Sequence, residues 1–292
     1  MKILKRNLNK SVVTLGKFDC LHQGHKKLIS EAKKISEALG IPLVAYTFSN
    51  VLREKVFSFE QRLKIFEELG CDYVYVEEFS DEFKNLSPEE FFADKLIENL
   101  GAVHIVAGTD WKFGKDRAGD AEMLGLLCRS YHTGLTIVDK LTLYGEEVST
   151  TLIKKLFEEG NIKRVNEYLG RCYHIEGKVS EGKKLGRKLG FPTANISLEK
   201  DFVYPKDGVY ATKTLIDGCE YYSVTNIGTN PTVNDETKKA ETHIFDYNGN
   251  LYEKEITVYF CDFIRDETRF DSIEQLKCQI DKDCLYWKNQ KI

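Results

Sequence analysis

Between residues 12 and 138 the chain alternates short apolar runs with amphipathic stretches, and the first three stretches each stop at a glycine. The runs 12–15, 43–48, 73–76, 103–107 and 135–138 predict strands, and the intervening segments 25–39, 59–69, 87–100 and 121–131 predict helices. In the first helix Leu28, Ala32, Ile35 and Leu39 recur at the spacing of one helix face. Gly40 suits the left-handed position that ends a helix, and Ile41-Pro42 bars its continuation. Ser87-Pro88-Glu89-Glu90 is a helix start, with Ser87 and Glu90 as a capping box and Pro88 at the first helical position. Repeated βα units with short connections fold only as a parallel sheet covered by helices on both faces. The first half is therefore expected to be a Rossmann-like α/β domain.

Near residue 170 this pattern stops. Two short helical segments, 152–159 and 162–169, lead into β-rich runs at 173–179, 208–215, 221–227, 242–245 and 255–260. Asp217-Gly218 and Asn248-Gly249 read as hairpin-type turns. A last helix over 272–287 starts with Ser272 and Gln275 as its capping box. This half predicts a small antiparallel β-barrel closed by a C-terminal helix. A chain of 292 residues has room for two domains. The expected division is 1–155, a helical connection over 156–170, and 171–292.

Composition narrows the partners. Lys plus Arg is 42 and Asp plus Glu is 46, for a formal charge of −4. That balance does not point to nucleic acid, whose binders usually carry a basic excess. No apolar run approaches the ~20 residues of a membrane span. The basic stretch Met1 to Lys10 has no apolar segment after it, so neither a secretory signal nor membrane attachment is expected. The eight cysteines include no CxxC pair, which fits free thiols in a reducing cytoplasm. No feature sets an oligomeric state.

The stretch Gly16-Lys17-Phe18-Asp19-Cys20-Leu21-His22-Gln23-Gly24-His25 joins the first predicted strand to the first helix. In an open α/β sheet that junction is where phosphates bind. Gly16, Phe18, Asp19 and Gly24 are candidate nucleotide contacts, and Gly24 permits close backbone approach. His22 and His25, with the free helix N–H groups, suit a triphosphate and the charge that grows on it during attack. A decorated loop, or a zinc pair needing further ligands, are the competing readings. The HxGH run resembles the nucleotidyltransferase superfamily. By that resemblance Asp110, in Gly108-Thr109-Asp110-Trp111-Lys112-Phe113-Gly114, contacts the adenosine or ribose side. Ser149, Thr150 and Thr151 then hold nucleotide phosphates at another helix start.

In the second half, Gly177-Lys178-Val179, Gly182 and Gly186-Arg187-Lys188-Leu189-Gly190-Phe191-Pro192-Thr193-Ala194-Asn195 surround a basic cluster with glycine. Gly177, Lys178, Gly182, Gly186 and Arg187 suit a polyphosphate. Thr193 and Asn195 lie two residues apart, so in an extended segment they share a face. Both are hard oxygen donors of the kind Mg²⁺, or another divalent metal, accepts.

Gly-Arg-x-Leu-Gly-Phe-Pro-Thr-Ala-Asn resembles the flavokinase signature. Gly208-Val209-Tyr210-Ala211, the run from Asn226 to Thr232, Glu241-Thr242-His243-Ile244-Phe245-Asp246, Ile264-Arg265-Asp266-Glu267 with Phe270, and Gln279-Ile280 with Asp283 extend the likeness in order. With the HxGH run, nearly the whole chain resembles the bacterial bifunctional riboflavin kinase/FAD synthetases. The resemblance implies ATP as co-substrate and riboflavin, FMN and FAD as substrates and products. It implies Glu241 as general base toward riboflavin, Arg265 on phosphate or flavin, Thr193 and Asn195 on ATP and the metal, and His22 and His25 at the adenylylation step. The chain departs from the family at Lys17, Cys20, Asn230, Leu152 and Lys154, the last two standing where arginines are usual. A monofunctional riboflavin kinase with a degenerate nucleotide-binding half is the alternative. A flavin-responsive regulatory or RNA-binding protein is a third.

Overall fold

The computed structural model describes residues 2–4, 7–49, 54–181, 190–229 and 238–290. Its contacts divide the chain into two units, Met1–Thr150 and Thr151–Ile292.

The first unit is built on a six-stranded, all-parallel sheet. Its strands are β1 (Lys2–Ile3), β2 (Ser11–Leu15), β3 (Leu43–Phe48), β4 (Tyr73–Glu77), β5 (Ala102–Gly108) and β6 (Gly134–Val138), in the order β1-β4-β3-β2-β5-β6. Every residue of β2 and β3 is buried. That explains why these strands read as continuous apolar runs rather than as an alternation. The order runs one way from β2 to β3 and the other way from β2 to β5, so a crevice opens at the carboxyl ends of β2 and β5. Helix α1 (Gln23–Leu39) follows β2 and ends at Gly40, left-handed at φ 64°. Helix α2 (Phe59–Glu68) starts with a Ser58–Gln61 capping box. The Ser87–Glu90 box is present too, leading α3 (Pro88–Glu90) into a π-helical segment, Phe91–Asn99. Helix α4 (Ala121–Ser130) precedes β6. The short helix Asp81–Asn85, the edge strand β1 and a two-stranded ribbon at 142–147 carry too few residues for a periodicity signal.

Helix α5 (Thr150–Glu158) starts at the last residue of the first unit and otherwise belongs to the second, as does α6 (Ile162–Leu169). Six antiparallel strands follow: β7 (His174–Lys178), β8 (Thr193–Ser197), β9 (Gly208–Ile216), β10 (Cys219–Thr229), β11 (Lys238–Ile244) and β12 (Glu255–Arg265). They pair in the order β8-β11-β10-β9-β12-β7. A bridge between Ser180 and Asn195 brings the ends of that order together, giving the expected barrel. At the seam a side chain on Gly177 would collide with Ile196, so the barrel itself uses the bare face of that glycine. The C-terminal helix α7 (Ile273–Asn289) is capped by Ser272, whose hydroxyl accepts the Gln275 N–H at 3.2 Å, but the expected box is not closed, because the Gln275 side chain accepts the Asp271 N–H instead of that of Ser272. It lies on one sheet face, where Cys284 packs with Val209, Val224 and Phe245, and Trp287 Nε1 donates to the Thr212 carbonyl at 2.8 Å.

Two expectations need correction. Asp217-Gly218 does close a hairpin, with φ of 49° and 82° between β9 and β10. Asn248-Gly249 does not, because β11 pairs with β8 and β10 whereas β12 pairs with β9 and β7; residues 245–254 form a crossover. The segment around Thr193, expected only as a motif, is a strand.

The barrel interior is not wholly apolar. Thr212, Thr214, Ser223, Thr225 and Thr242 are fully buried, and their hydroxyls form a chain of bonds at 2.8–2.9 Å. Each hydroxyl both donates and accepts, so neighbouring strands satisfy one another's polar groups away from water. Among the described residues no helix is long and apolar enough to cross a membrane.

Candidate active sites

The loop after β2 enters the crevice under backbone constraint. Phe18 and Leu21 are fully buried yet sit at φ 50° and 45°, a region that bulky residues rarely occupy. The Phe18 ring lies over Gly16, where a Cβ would meet it at 2.7 Å. Asp19 is buried, and its Oδ1 accepts the Val56 N–H at 3.2 Å. Arg62, also buried, donates to the Lys17 carbonyl at 3.4 Å and to that of Phe48 at 3.5 Å. Burial pulls the Arg62 guanidinium below its usual range, and the Asp19 charge partly offsets that. These groups brace the loop from beneath, and periodicity gave no sign of Arg62.

The two histidines come together. His22 is the N-cap of α1, its Nδ1 accepting the His25 N–H at 3.2 Å. The rings stack with centroids 3.7 Å apart and planes 13° apart, and the Phe18 edge packs on His25. Gly24 faces the His22 ring, where a Cβ would come within 3.0 Å of it. Cys20 lies in hydrogen-bond contact with the Thr150 hydroxyl at 3.3 Å. Ser149 and Thr150 belong to this unit, and Thr151 falls in the next. Asp110 lies just past the end of β5, exposed, with Lys140 Nζ 3.5 Å away.

In the barrel, strand pairing sets one row of side chains across neighbouring strands. Asn195 faces Glu241, Glu241 faces Asn226, Asn226 faces Val209, and Val209 faces Arg265. The adjacent row sets Thr193 against His243, and His243 against Val224. A cavity of about 540 Å³ opens on these rows, lined by Thr193, Glu241, Asn226 and His243 on the sheet side and by Phe270, Leu276 and Ile280 opposite. It joins an apolar wall to a polar edge, the usual make-up of a small-molecule site.

Arg265 is held at this cavity by a buried partner. Its guanidinium meets the Asp283 carboxylate through three contacts of 2.8–3.1 Å, and the Gln279 amide donates a fourth to the same carboxylate at 2.9 Å. Asp283 is only 3% exposed. Such a fork fixes the arginine against helix α7. The His243 ring contacts the Pro192 carbonyl at 3.0 Å, so that nitrogen donates. Burial keeps this imidazole below its usual pKa, and the Pro192 carbonyl partly counters the shift. Asn226 donates to Glu267 at 2.9 Å. His243, Asn226 and Glu267 lay inside the quoted motif runs, but only the register shows that they share a cavity.

Thr193 and Asn195 do share a face of β8, as an extended chain requires. The Asn195 amide nitrogen donates to the Thr193 carbonyl at 3.4 Å, which leaves its oxygen as the group available to a cation. With the Glu241 carboxylate in the same row, the donors are all hard oxygens, a set that fits Mg²⁺. Lys178 is exposed and paired with Glu253 at 2.5 Å. Gly182, Gly186, Arg187 and Asn230 lie outside the described residues.

The comparisons follow the same division. The FAD synthetase family model matches residues 4–152, and the Riboflavin kinase family model matches residues 169–290. The bifunctional riboflavin kinase/FMN adenylyltransferase of Bacillus subtilis is 36% identical, over 96% of this chain and 92% of its own. The Escherichia coli K12 protein of the same description is 32% identical over 94% and 90%. A crystal structure of a macrolide-efflux protein from Streptococcus pneumoniae superposes with a TM-score of 0.90 at 32% identity, covering 98% of this chain and 96% of that one.

Proposed function

The chain belongs to the family of bifunctional riboflavin kinases/FMN adenylyltransferases, and from that premise we propose how its residues divide the work. The function is flavin cofactor biosynthesis: ATP-dependent phosphorylation of riboflavin to FMN, and adenylylation of FMN to FAD with release of pyrophosphate.

In the kinase half, the flavin ring occupies the apolar side of the barrel cavity, and the ribityl chain runs toward Glu241. Glu241 accepts the proton of the terminal hydroxyl as that oxygen attacks the γ-phosphate of ATP. Thr193 and Asn195 hold Mg²⁺, which would neutralise phosphate charge when bound. Arg265, locked by Asp283, positions the wall beside the transferred group rather than moving a proton. Gly177, Lys178, Gly182, Gly186 and Arg187 serve the ATP polyphosphate. Phosphoryl transfer asks mainly for positioning and charge neutralisation, which these groups supply. The domain limits proposed are 1–155 and 171–292, with 156–170 as the connection, and the site of action is the cytoplasm.

In the adenylyltransferase half, the FMN phosphate attacks the α-phosphate of ATP. His22 and His25, stacked at the start of α1, bear on the charge that develops there. Gly16, Phe18, Asp19 and Gly24 shape the loop, while Asp110, Ser149, Thr150 and Thr151 line the nucleotide side.

The observation that carries this reading is the strand row that sets Asn195 against Glu241 and Glu241 against Asn226, of which Glu241 and Asn226 line the cavity. Purified protein supplied with riboflavin, ATP and Mg²⁺, with products resolved by chromatography, tests it. FMN followed by FAD is expected. FMN alone would leave a monofunctional kinase, and no FMN would refute the kinase assignment.

A further inference from the structure

His243 lines the barrel cavity, yet it has no part in the chemistry assigned to Glu241, Arg265 and Thr193. It stands two residues beyond Glu241 on β11, so both side chains project from one face of that strand. At the rise of a strand their Cα atoms are about 7 Å apart. Glu241 lines the same cavity.

The surroundings fix the imidazole. Phe191 meets the ring edge-on, with centroids 5.2 Å apart and planes at 84°, and Phe245 packs on it at 5.7 Å. Nδ1 lies 3.0 Å from the Pro192 carbonyl. A carbonyl can only accept, so Nδ1 carries the proton and, in the neutral ring, Nε2 keeps its lone pair. Burial, and to a smaller extent the Lys288 charge on α7, disfavours a second proton. Among the described residues no group donates to Nε2, and that atom is not sealed from solvent. The neighbouring polar groups have other work. Arg265 and Asp283 hold each other, and the Asn226 amide is turned to Glu267. His243 therefore offers the cavity a neutral acceptor in a fixed tautomer.

A ribityl chain is a row of secondary hydroxyls that ends in the terminal hydroxyl to be phosphorylated. With that end at Glu241, the chain covers a separation of the size that divides Glu241 from His243. Building on the kinase assignment above, we propose that His243 Nε2 accepts a hydrogen bond from a secondary hydroxyl of the ribityl chain. His243 is then a specificity-determining residue, one that reads the polyol rather than the flavin ring. When a flavin fills the cavity and expels water, an unmet Nε2 is costly. A site that pairs a substrate hydroxyl discriminates against an analogue lacking it.

The test compares riboflavin with a flavin bearing a plain ω-hydroxypentyl chain, which keeps the terminal hydroxyl and lacks the secondary ones. Binding is read on the full-length protein by flavin fluorescence without ATP, and turnover as kcat/KM for phosphorylation. Wild type should favour riboflavin by about tenfold or more in both, the worth of one buried acceptor left unmet. His243→Asn keeps a donor near the Pro192 carbonyl and removes the acceptor on the far side of the ring. It should weaken riboflavin about tenfold and leave the analogue unchanged, so that the preference disappears. His243→Gln returns an acceptor to that side and should recover discrimination. Equal weakening of both flavins by His243→Asn, or a preference that neither variant alters, would overturn the proposal while the kinase assignment stands. A wild type that phosphorylates neither flavin would refute the assignment, and the proposal with it.

Discussion

Asn195 and Glu241 stand directly opposite each other on the antiparallel strands β8 and β11, and of the two Glu241 lines the cavity. Glu241→Gln keeps the shape and removes the proposed base. FMN formation should fall about 10²–10⁴-fold, the usual worth of a positioned general base. Conversion of added FMN to FAD should be unchanged. Equal loss of both steps would sink the division of labour.

His25→Ala should do the converse. The stacked imidazole is lost from the loop after β2, and FAD formation from FMN should drop by at least ~10²-fold, the scale of one lost transition-state contact. The kinase step, assayed on the same preparation, is the internal control.

Leu152 stands where an arginine is usual among the proteins this chain resembles. A charge-assisted phosphate contact is worth roughly 1.5–3 kcal/mol. Leu152→Arg should therefore raise kcat/KM for FAD formation tenfold or more without changing FMN formation. No gain would show that this position does not reach the nucleotide phosphates.

Asp283 is the buried half of the Arg265 fork. Asp283→Ala leaves the guanidinium without its carboxylate and should cost about 3–5 kcal/mol in denaturant unfolding of the barrel unit. Its KM for riboflavin should also rise, because the freed Arg265 no longer holds the cavity wall. A stability change within experimental error would show the pair to be dispensable.

Thr225 links the buried hydroxyls of Thr212 and Thr242 at 2.9 Å each. Thr225→Val should cost roughly 1–3 kcal/mol, since Thr242 is left with an unmet polar group. The double change Thr225→Val, Thr242→Val should recover part of that loss, because no stranded hydroxyl remains. Additive losses, read from chemical denaturation, would contradict a cooperative ladder.

The βα alternation, the glycine at position 40, the Ser87–Glu90 capping box and the Ser272 cap are local, and the sequence alone determined the first unit and the C-terminal helix through them. Period, left-handed freedom and cap chemistry need only a few neighbouring residues. Motif order likewise settled the family. Tertiary structure decided what depends on partners distant in sequence. The Asn248-Gly249 dipeptide looks like a hairpin turn, yet strand order makes it part of a crossover. Thr193 to Ser197 becomes a strand because β11 offers it an edge. Buried threonines are legible as a barrel core only when the ladder that satisfies them is assembled. Pairing register, a long-range property, placed Asn195 against Glu241, which no window of sequence encodes.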